Sequence, residues 1–408
     1  MYFRKSPFGG MDVSGIRADF PSISEDGPVY LDSACQSLKP NCVIRKMLEY
    51  YTEYPGCGGR SSHSMATRVS MEVDSAREAF ARFLNAESPS GVVFTKNCTE
   101  ALNTVANGFG LGPGDAVLTS DSEHNSNSVP WLVLADRGVK RRHFPTLPDG
   151  TFSMDAYLEA LTDDVKIVSV CHASNVTGHV FPVKDMAEAA HDKGIPICVD
   201  GAQAASHMPV DVRDLDVDFY CVSAHKMMAP SGVGALIGKK EALDGLRPLT
   251  YGGGAVGETS MESFTLPPVP DRLEAGLSNY SGIIGAGEAV RYLSEIGMGR
   301  IQEHILGLQR KIDDWLDGAD GVSVVGPGDA AGRGAIFSFN VDGMLSYDVA
   351  MMMDSRGVLI RSGMHCAHPF FASRGIDGCA RASFGAYNDS GDVGRLLSVL
   401  DWILSGHR

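Results

Sequence analysis

Two ionisable residues follow two short apolar segments in the middle of the chain. The run Ile195–Val199 ends in Asp200, and the run Val217–Val222 is followed within four residues by Lys226. Runs of this length, rich in β-branched and aromatic residues and bounded by turn residues, predict buried strands. Open α/β sheets bind ligands at the carboxyl ends of their strands, so Asp200 and Lys226 lie where a functional site is expected.

A lysine paired with a carboxylate suits one cofactor chemistry. Lysine forms a Schiff base with pyridoxal phosphate, and a carboxylate beside the pyridine nitrogen keeps it protonated, which makes the ring an electron sink. Ser223 and His225 flank the lysine and are candidates for binding the phosphate, while Gln203 is a candidate contact for the ring oxygen. The alternative interpretation is two strand ends that carry solvated polar residues.

The segments around these residues resemble a known enzyme class. DGAQAASHMPVDV (200–212) and DFYCVSAHKMMAPSGVGAL (218–236) are similar to class V, fold-type I pyridoxal phosphate enzymes. Within that class they resemble the SUF-type (group II) cysteine desulfurases and selenocysteine lyases. The resemblance covers nearly the whole chain. It implies an α/β fold: a large domain whose mainly parallel seven-stranded sheet lies between helices, and a small α+β C-terminal domain.

We expect three regions along the chain. Residues 1–28 form an N-terminal arm that packs on the small domain, residues 29–282 form the large cofactor-binding domain, and residues 283–408 form the small domain with the cysteine loop. Strand and helix patterns alternate from 91 to 237, which also indicates a mainly parallel sheet. After Gly238 the pattern changes, and 250–282 is rich in Gly and Pro without a helical period.

A strand, a tight turn and a helix are predicted in GVVFTKNCTEALNTVANGFG (91–110). Asn97, Cys98 and Thr99 stand at the helix N-terminus, where free N–H groups and the helix dipole favour an anion. The alternative is an ordinary helix cap. Class V enzymes place the cofactor phosphate on this turn, with Gly-Thr-Thr where this chain has Asn-Cys-Thr, so the resemblance implies that Cys98 and Thr99 bind the phosphate.

The resemblance implies roles for three more residues. His124 matches the histidine that stacks on the cofactor ring and relays protons, and Asn175 matches a residue near the ring oxygen and the substrate. In the family motif EAG-T-P-N, a threonine reaches the phosphate site of the partner subunit. Here the motif reads EAGLSN from Glu274, which puts Leu277 at the threonine position and makes Ser278 the candidate replacement.

One cysteine decides the expected reaction. In VLIRSGMHCAHPFFASRG (358–375), the family motif R-x-G-x-H-C-A is matched at every specified position, ending in His365, Cys366 and Ala367. The match implies that Cys366 is the persulfide-forming cysteine. Its reactive form is the thiolate, and we expect His365 and nearby arginines to supply positive charge. The alternative is a buried structural cysteine.

Two arginines are candidates for binding the substrate carboxylate. Arg381 matches the family arginine that receives it, for which a bidentate guanidinium is suited, and Arg361 is a second candidate. His365 is placed in the same substrate region. Only a short loop separates Cys366 from Arg381, which is the SUF-type arrangement. Either arginine is alternatively an ordinary ion-pair partner.

The resulting hypothesis is a pyridoxal-phosphate-dependent cysteine desulfurase and homodimer. L-Cysteine becomes L-alanine, Lys226 and His124 move the α-proton, and Cys366 holds the sulfur as a persulfide. The sulfur then passes to an acceptor or scaffold protein, as in iron–sulfur cluster assembly by the SUF system. Three alternatives stay open: a selenocysteine lyase acting on L-selenocysteine, another class V enzyme such as an aminotransferase or epimerase, and a catalytically weak cofactor-binding scaffold.

Composition narrows the functional classes. The 408 residues are 44 % hydrophobic and 21 % charged, which are globular values. The net charge of -15 argues against nucleic acid and anionic membranes as partners, because both need basic patches. No apolar stretch approaches the ~20 residues of a membrane span, and no signal peptide is evident. Nine scattered cysteines without a C-x-x-C pair argue against a zinc site and favour a reducing, cytoplasmic location.

Overall fold

The structure is a computed structural model that describes residues 11–406. The first ten residues of the predicted N-terminal arm and the last two residues of the chain lie outside the described part. Its helices are α1 (Val13–Ala18), α2 (Asn41–Glu53), α3 (Ser64–Phe83), α4 (Cys98–Gly108), α5 (Val129–Val133), α6 (Met154–Ala160), α7 (Val183–His191), α8 (Lys240–Asp244), α9 (Tyr280–Ile296), α10 (Met298–Leu316), α11 (Ala330–Arg333), α12 (Ser346–Ser355), α13 (His368–Arg374) and α14 (Ser390–Leu404). Its strands are β1 (Val29–Tyr30), β2 (Val92–Thr95), β3 (Ala116–Ser120), β4 (Lys140–Phe144), β5 (Val165–Cys171), β6 (Ile197–Asp200), β7 (Phe219–Ser223), β8 (Gly234–Gly238), β9 (Val322–Val324), β10 (Ile336–Val341), β11 (Val358–Leu359), β12 (Arg361–Gly363) and β13 (Cys379–Ser383).

A seven-stranded sheet forms the centre of the molecule, with the order β2-β8-β7-β6-β5-β3-β4. The pairs from β7 to β4 are parallel, and β8 runs antiparallel to both of its neighbours. The predicted mainly parallel seven-stranded sheet is therefore confirmed. The predicted strands before Asp200 and Lys226 are β6 and β7, and every residue of both is buried. Burial on both faces explains why these strands read as continuous apolar runs.

Helices cover both faces of this sheet. One apolar cluster joins the sheet to α3, α7 and α9, and a second joins the opposite face to α4, α5 and α8. Helices α2, α3 and α9 also pack against one another. The layered arrangement buries the middle strands completely and leaves their carboxyl ends as the open edge.

The C-terminal part contains a four-stranded antiparallel sheet in the order β12-β13-β10-β9. A separate two-stranded parallel sheet pairs β1 with β11, so the chain near Val29 is hydrogen-bonded to the segment at Val358. In the described part of the arm, Phe20 packs with its ring centroid 4.8 Å from that of Tyr387. Arg17 forms an ion pair with Asp392 at 2.8 Å. These contacts attach the arm to the C-terminal part.

Two elements differ from the sequence-based expectation. The sequence GVLIRSG (357–363) predicts a single strand, but the structure divides it into β11 and β12, because its two halves pair with different sheets. Strand β4 is not evident from the sequence, because KRRHF has little apolar character. The strand lies at the edge of the sheet, where it pairs on one side only and charged side chains are common. Among residues 11–406, no helix is long and apolar enough to cross a membrane.

Candidate active site

The carboxyl ends of the central strands face one cavity of about 180 Å³. All the residues proposed from the sequence line this cavity, apart from Ser278. They are Cys98, Thr99, His124, Asn175, Asp200, Gln203, Ser223, His225, Lys226, Arg361, His365, Cys366 and Arg381. The tertiary structure therefore brings the strand-end residues of the seven-stranded sheet together with the cysteine loop of the C-terminal part.

Asp200 lies at the end of β6 and is 6 % exposed. Its Oδ1 accepts hydrogen bonds from the amide of Ala202 at 3.0 Å and from the thiol of Cys98 at 3.2 Å. Burial raises the pKa of the Cys98 thiol to about 12, and the Asp200 carboxylate adds to this rise. The thiol thus keeps its proton and acts as a donor, so the side chain of Cys98 contacts the carboxylate of the site.

The N-terminus of α4 gathers hydroxyl groups. The Cys98 amide donates to Ser223 Oγ at 3.0 Å, and the hydroxyls of Thr99 and Ser126 are 2.7 Å apart. Strand β8 passes so close that a Cβ on Gly234 would lie 2.6 Å from the Cα of Asn97, so only glycine fits there. Hydroxyls beside a helix N-terminus provide the donors that an anion such as phosphate needs.

Lys226 lies in the helical turn that follows β7. Ser37 holds this turn in place, because its amide and its hydroxyl donate to the carbonyl of His225 at 3.1 and 3.0 Å. Burial lowers the pKa of Lys226, and the nearby Asp200 opposes that shift. A lowered pKa increases the neutral amine, which is the form that reacts with an aldehyde. Burial also lowers the pKa of His225 to about 4, so its ring is neutral near pH 7.

His124 is an uncharged ring beside these groups. Its Nδ1 accepts a hydrogen bond from the amide of Ser126 at 3.0 Å. Burial, with a contribution from the neighbouring Lys226, lowers the pKa of His124 to about 4. Near pH 7 the single proton of the ring is therefore on Nε2, because Nδ1 is used as an acceptor.

Cys366 lies on a tightly folded loop between β12 and α13. His365 and Cys366 have φ angles of +46° and +57°, a left-handed conformation that costs free energy for residues with a side chain. Two contacts hold the loop: the Asn125 amide donates to the Cys366 carbonyl at 2.6 Å, and Asn175 Nδ2 donates to the His365 carbonyl at 2.7 Å. The loop is thus fixed to residues that follow β3 and β5.

The charge expected on His365 is not present near neutral pH. Its Nε2 donates to the Cys379 carbonyl at 3.0 Å, and burial, with Arg381 nearby, lowers the pKa of His365 to about 3. The ring is therefore neutral. Positive charge near Cys366 comes from Arg361 and Arg381, which line the same cavity.

The two arginines have different surroundings. Arg381 is 2 % exposed; its Nη1 donates to the Asn175 carbonyl at 2.8 Å, and its Nη2 donates to Asp32 Oδ1 at 3.2 Å. Within residues 11–406, its Nε has no hydrogen-bond partner, and neither has Nδ1 of His365. Arg361 donates from Nη1 to the sulfur of Cys35 at 2.7 Å. Arg361 and Arg381 thus bring two guanidinium groups to the cavity wall, where a carboxylate is a suitable ligand.

Ser278 lies elsewhere in this subunit. Together with Leu277 it lines a separate groove, formed by parts of 249–253 and 273–279 with β2 and α4. Leu277 is 76 % exposed. Gln203, by contrast, is in the cavity, where its side-chain amide donates to the Ala34 carbonyl at 3.0 Å.

Sequence reasoning missed three residues of this site. Asp32 pairs with Arg381, Cys35 contacts Arg361, and Ser126 contacts Thr99. The first two belong to the loop after β1, whose sequence LDSACQ contains no local pattern that points to a site. Ser126 was detectable in principle, because it lies two residues after His124 in the same turn.

The residues present fit pyridoxal phosphate. The cavity combines a lysine with a lowered pKa, a buried carboxylate and hydroxyl groups at a helix N-terminus. These match the aldehyde, the pyridine nitrogen and the phosphate of that cofactor. Among the described residues, no cluster of three or more His, Cys, Asp or Glu side chains has the arrangement of a metal site.

Comparison with known proteins agrees with this site. The family model described as Aminotransferase class-V matches residues 29–396. A probable cysteine desulfurase of Halobacterium salinarum is 40 % identical over 403 residues, which cover 96 % of this chain and 97 % of that protein. The crystal structure of the cysteine desulfurase CsdA from Escherichia coli has a TM-score of 0.89 and 34 % identity, covering 97 % of this chain and 98 % of that one. The apo structure of a cysteine desulfurase from Thermococcus onnurineus has a TM-score of 0.93 and 33 % identity, with 100 % of both chains covered. The chain therefore belongs to the aminotransferase class-V family of pyridoxal phosphate enzymes, among the cysteine desulfurases.

Proposed function

We propose that this protein converts L-cysteine to L-alanine and retains the sulfur as a persulfide on Cys366. The observation that carries the proposal is that one cavity contains both Cys366 and the cofactor residues Lys226 and Asp200. A class V enzyme without sulfur chemistry requires Lys226 and Asp200 but does not require Cys366 at the same cavity. The names of the relatives that match almost the whole chain support the same activity.

The cofactor would be held at three points. Lys226 would bind its aldehyde carbon, Asp200 would face the pyridine nitrogen, and the α4 N-terminus with Thr99, Ser223 and His225 would bind the phosphate. Cys98 would contribute through its amide, which holds Ser223 Oγ in place. Asn175 and Gln203 would lie by the ring oxygen. When bound, pyridoxal phosphate supplies an electron sink that stabilises negative charge on the substrate Cα.

The protein residues would perform the remaining steps. Arg381 and Arg361 would bind the substrate carboxylate, with His365 beside them. Lys226 would take the α-proton, aided by the neutral His124, whose Nε2 carries the exchangeable proton. The Cys366 thiolate would attack the substrate sulfur, so that an S–S bond forms as the Cβ–S bond breaks. The electron pair stays on Cβ, and alanine is complete once Cβ is protonated and Lys226 returns the α-proton to Cα.

The fold of the cysteine segment favours the SUF-type arrangement. Helix α13 fills half of the stretch between Cys366 and Arg381, and Phe370 and Phe371 in it are buried. A segment anchored in this way keeps the cysteine at the cavity, so an acceptor or scaffold protein must come to it to collect sulfur, as in iron–sulfur cluster assembly. A reducing, cytoplasmic compartment is part of the proposal, and the nine cysteines, all in the described range, are free.

A homodimer is also part of the proposal. Several large apolar side chains between 251 and 277 are exposed, including Met261 at 103 %, Leu277 at 76 % and Phe264 at 54 %. Exposed apolar clusters of this kind often mark protein interfaces. In such a dimer Ser278 would act on the phosphate site of the partner subunit, which is consistent with its position outside the cavity of its own subunit.

We also propose that the chain is divided into an arm (1–28), a large domain (29–282) and a small domain (283–408). The seven-stranded sheet lies wholly within the second range, and the four-stranded sheet lies wholly within the third. The small β1–β11 sheet joins the two ranges.

Single-turnover alanine formation tests the function. Cofactor-loaded wild type, Cys366→Ala and the control Cys42→Ala would each receive L-cysteine without a reductant. Cys42 is half-buried like Cys366 but lies on α2, outside the cavity. We expect alanine, and one added sulfur on the Cys366 peptide, from wild type and the control, and neither from Cys366→Ala. Alanine that persists in Cys366→Ala would contradict the role of Cys366. Turnover of L-selenocysteine alone would support the lyase instead.

A further inference from the structure

The active-site cavity contains four cysteines, and they differ in accessibility. Cys98 and Cys171 are only 3 % and 4 % exposed, and burial raises the pKa of both thiols, to about 12 for Cys98. They therefore remain protonated and poorly nucleophilic. Cys35 and Cys366 are half-buried, so they are the more exposed pair among the four cavity cysteines.

Cys35 is bonded to a cation on the cavity wall. Its sulfur accepts a hydrogen bond from Arg361 Nη1 at 2.7 Å, and Arg361 begins the strand β12 that leads into the Cys366 loop. The amide of Cys35 donates to the Asp32 carbonyl at 3.0 Å, and Asp32 pairs with Arg381. Cys35 thus contacts the arginine that begins the strand leading to Cys366, and both cysteines line the same cavity as Arg361 and Arg381.

This wall of the cavity also carries positive charge. Arg361 and Arg381 both line the cavity, so two guanidinium groups lie on the same wall. A negatively charged sulfur chain on Cys366 would lie near this charge, which favours the thiolate form that sulfur exchange between two cysteines needs.

We infer that Cys35 is a second sulfur-carrying residue, which takes the sulfane sulfur from the Cys366 persulfide inside the cavity. The inference rests on the proposed desulfurase function. The Cys35 thiolate attacks the outer sulfur of the persulfide, a new S–S bond forms on Cys35, and the S–S bond on Cys366 breaks. Cys366 leaves as a thiolate and takes up the proton that Cys35 lost, so no oxidant or reductant is consumed.

The exchange would change how much sulfur one subunit stores. A persulfide extends the reach of Cys366 by about 2 Å, the length of an S–S bond. The freed Cys366 can then act on another L-cysteine before any acceptor arrives. Each subunit would therefore store two sulfur atoms, and the alanine burst without a reductant would be two per subunit instead of one.

The experiment counts both alanine and sulfur. Cys42→Ala serves as the working background, because trypsin does not cut the Lys39–Pro40 bond and leaves Cys35 and Cys42 in one peptide (18–45). Cofactor-loaded protein would receive excess L-cysteine without a reductant, followed by alkylation, digestion and mass spectrometry. We expect sulfur on peptide 18–45 and on the Cys366 peptide (362–374), with two alanines per subunit.

Variants separate sulfur transfer from positioning. Cys35→Ser keeps an acceptor for Arg361 but cannot carry sulfur, so we expect one alanine per subunit and sulfur on the Cys366 peptide alone. In Cys366→Ala, we expect no sulfur on peptide 18–45, because Cys35 receives it only through Cys366. A wild-type burst of one, with sulfur on the Cys366 peptide and none on 18–45, would overturn the inference and leave the desulfurase function standing. No alanine and no sulfur on either peptide would overturn both.

Discussion

The ion pair between Asp32 and Arg381 offers a quantitative test of how the site is held together. Arg381 is the candidate carboxylate-binding residue, and Asp32 is the carboxylate that pairs with it, at 3.2 Å. The Arg381 side chain is 2 % exposed and that of Asp32 is 23 % exposed. Burial raises the pKa of Asp32, and Arg381 opposes that rise. Burial thus costs both partners free energy, and their mutual attraction offsets it.

Asp32→Asn removes the charge of one partner and nearly preserves its shape. The Arg381 guanidinium then stays buried without a counter-ion, and breaking a buried pair in this way costs roughly 3–5 kcal/mol. We take the lower end, about 3 kcal/mol, since Asp32 is partly exposed and Arg381 keeps its bond to the Asn175 carbonyl. At about 2.1 cal/mol/K per residue, the 408 residues have an unfolding entropy of roughly 0.86 kcal/mol/K. The expected decrease in Tm is therefore about 3.5 °C.

Differential scanning calorimetry in cofactor-saturated buffer measures this decrease. Arg381→Met should cost less, because the partly exposed Asp32 left behind can take up water or a proton. The double variant should lose less than the sum of the two single variants, since a neutral pair leaves no unpaired charge. As a control, Asp214→Asn removes the exposed ion pair with Lys184 and should barely change Tm. A decrease below 1 °C for Asp32→Asn, or strict additivity in the double variant, would refute the reasoning.

Three further predictions concern pH, packing and the phosphate contacts. Burial lowers the pKa of His172 and His207 to about 4, whereas the pKa of a histidine in the unfolded chain is ~6.5. As the pH drops, the unfolded state therefore binds protons before the folded state does. The free energy of unfolding should fall between about pH 6.5 and pH 4, by ~1.4 kcal/mol per pH unit for each histidine. Urea unfolding across this range should show a smaller slope for His207→Asn, and an unchanged slope would argue against its burial as the cause. Gly234→Ala should destabilise the protein by about 1–3 kcal/mol, because the new Cβ would lie 2.6 Å from backbone atoms. The control Gly394→Ala, at an exposed position of α14, should stabilise the protein by about 0.5–1 kcal/mol. Equal effects of the two substitutions in thermal unfolding would contradict this. Thr99→Ala should weaken cofactor binding about tenfold, since a hydrogen bond to a charged group contributes ~1.5 kcal/mol; an unchanged Kd in a fluorescence titration would remove Thr99 from the phosphate site.

Those parts of the site that have local signals could be predicted from the sequence. Asp200 and Lys226 follow apolar runs that the structure confirms as β6 and β7, because strand length, composition and turn residues are properties of neighbouring positions. The N-terminus of α4 was evident for the same reason. Cys366 was identified by a contiguous motif, and its loop in the structure lies at the same cavity.

Which groups meet, and what charge they have, became evident from the three-dimensional structure alone. Arg361 and Cys35 are 326 positions apart, and Arg381 and Asp32 are 349 apart, so no local pattern could pair them. The Cys98 thiol contacts Asp200 because α4 packs across the ends of β6 and β7, and His365 is neutral because its surroundings bury it. Residue types and spacing along the chain determine strands, helices and motifs. Contacts across the cavity, and the protonation that burial imposes on them, follow from packing between distant segments.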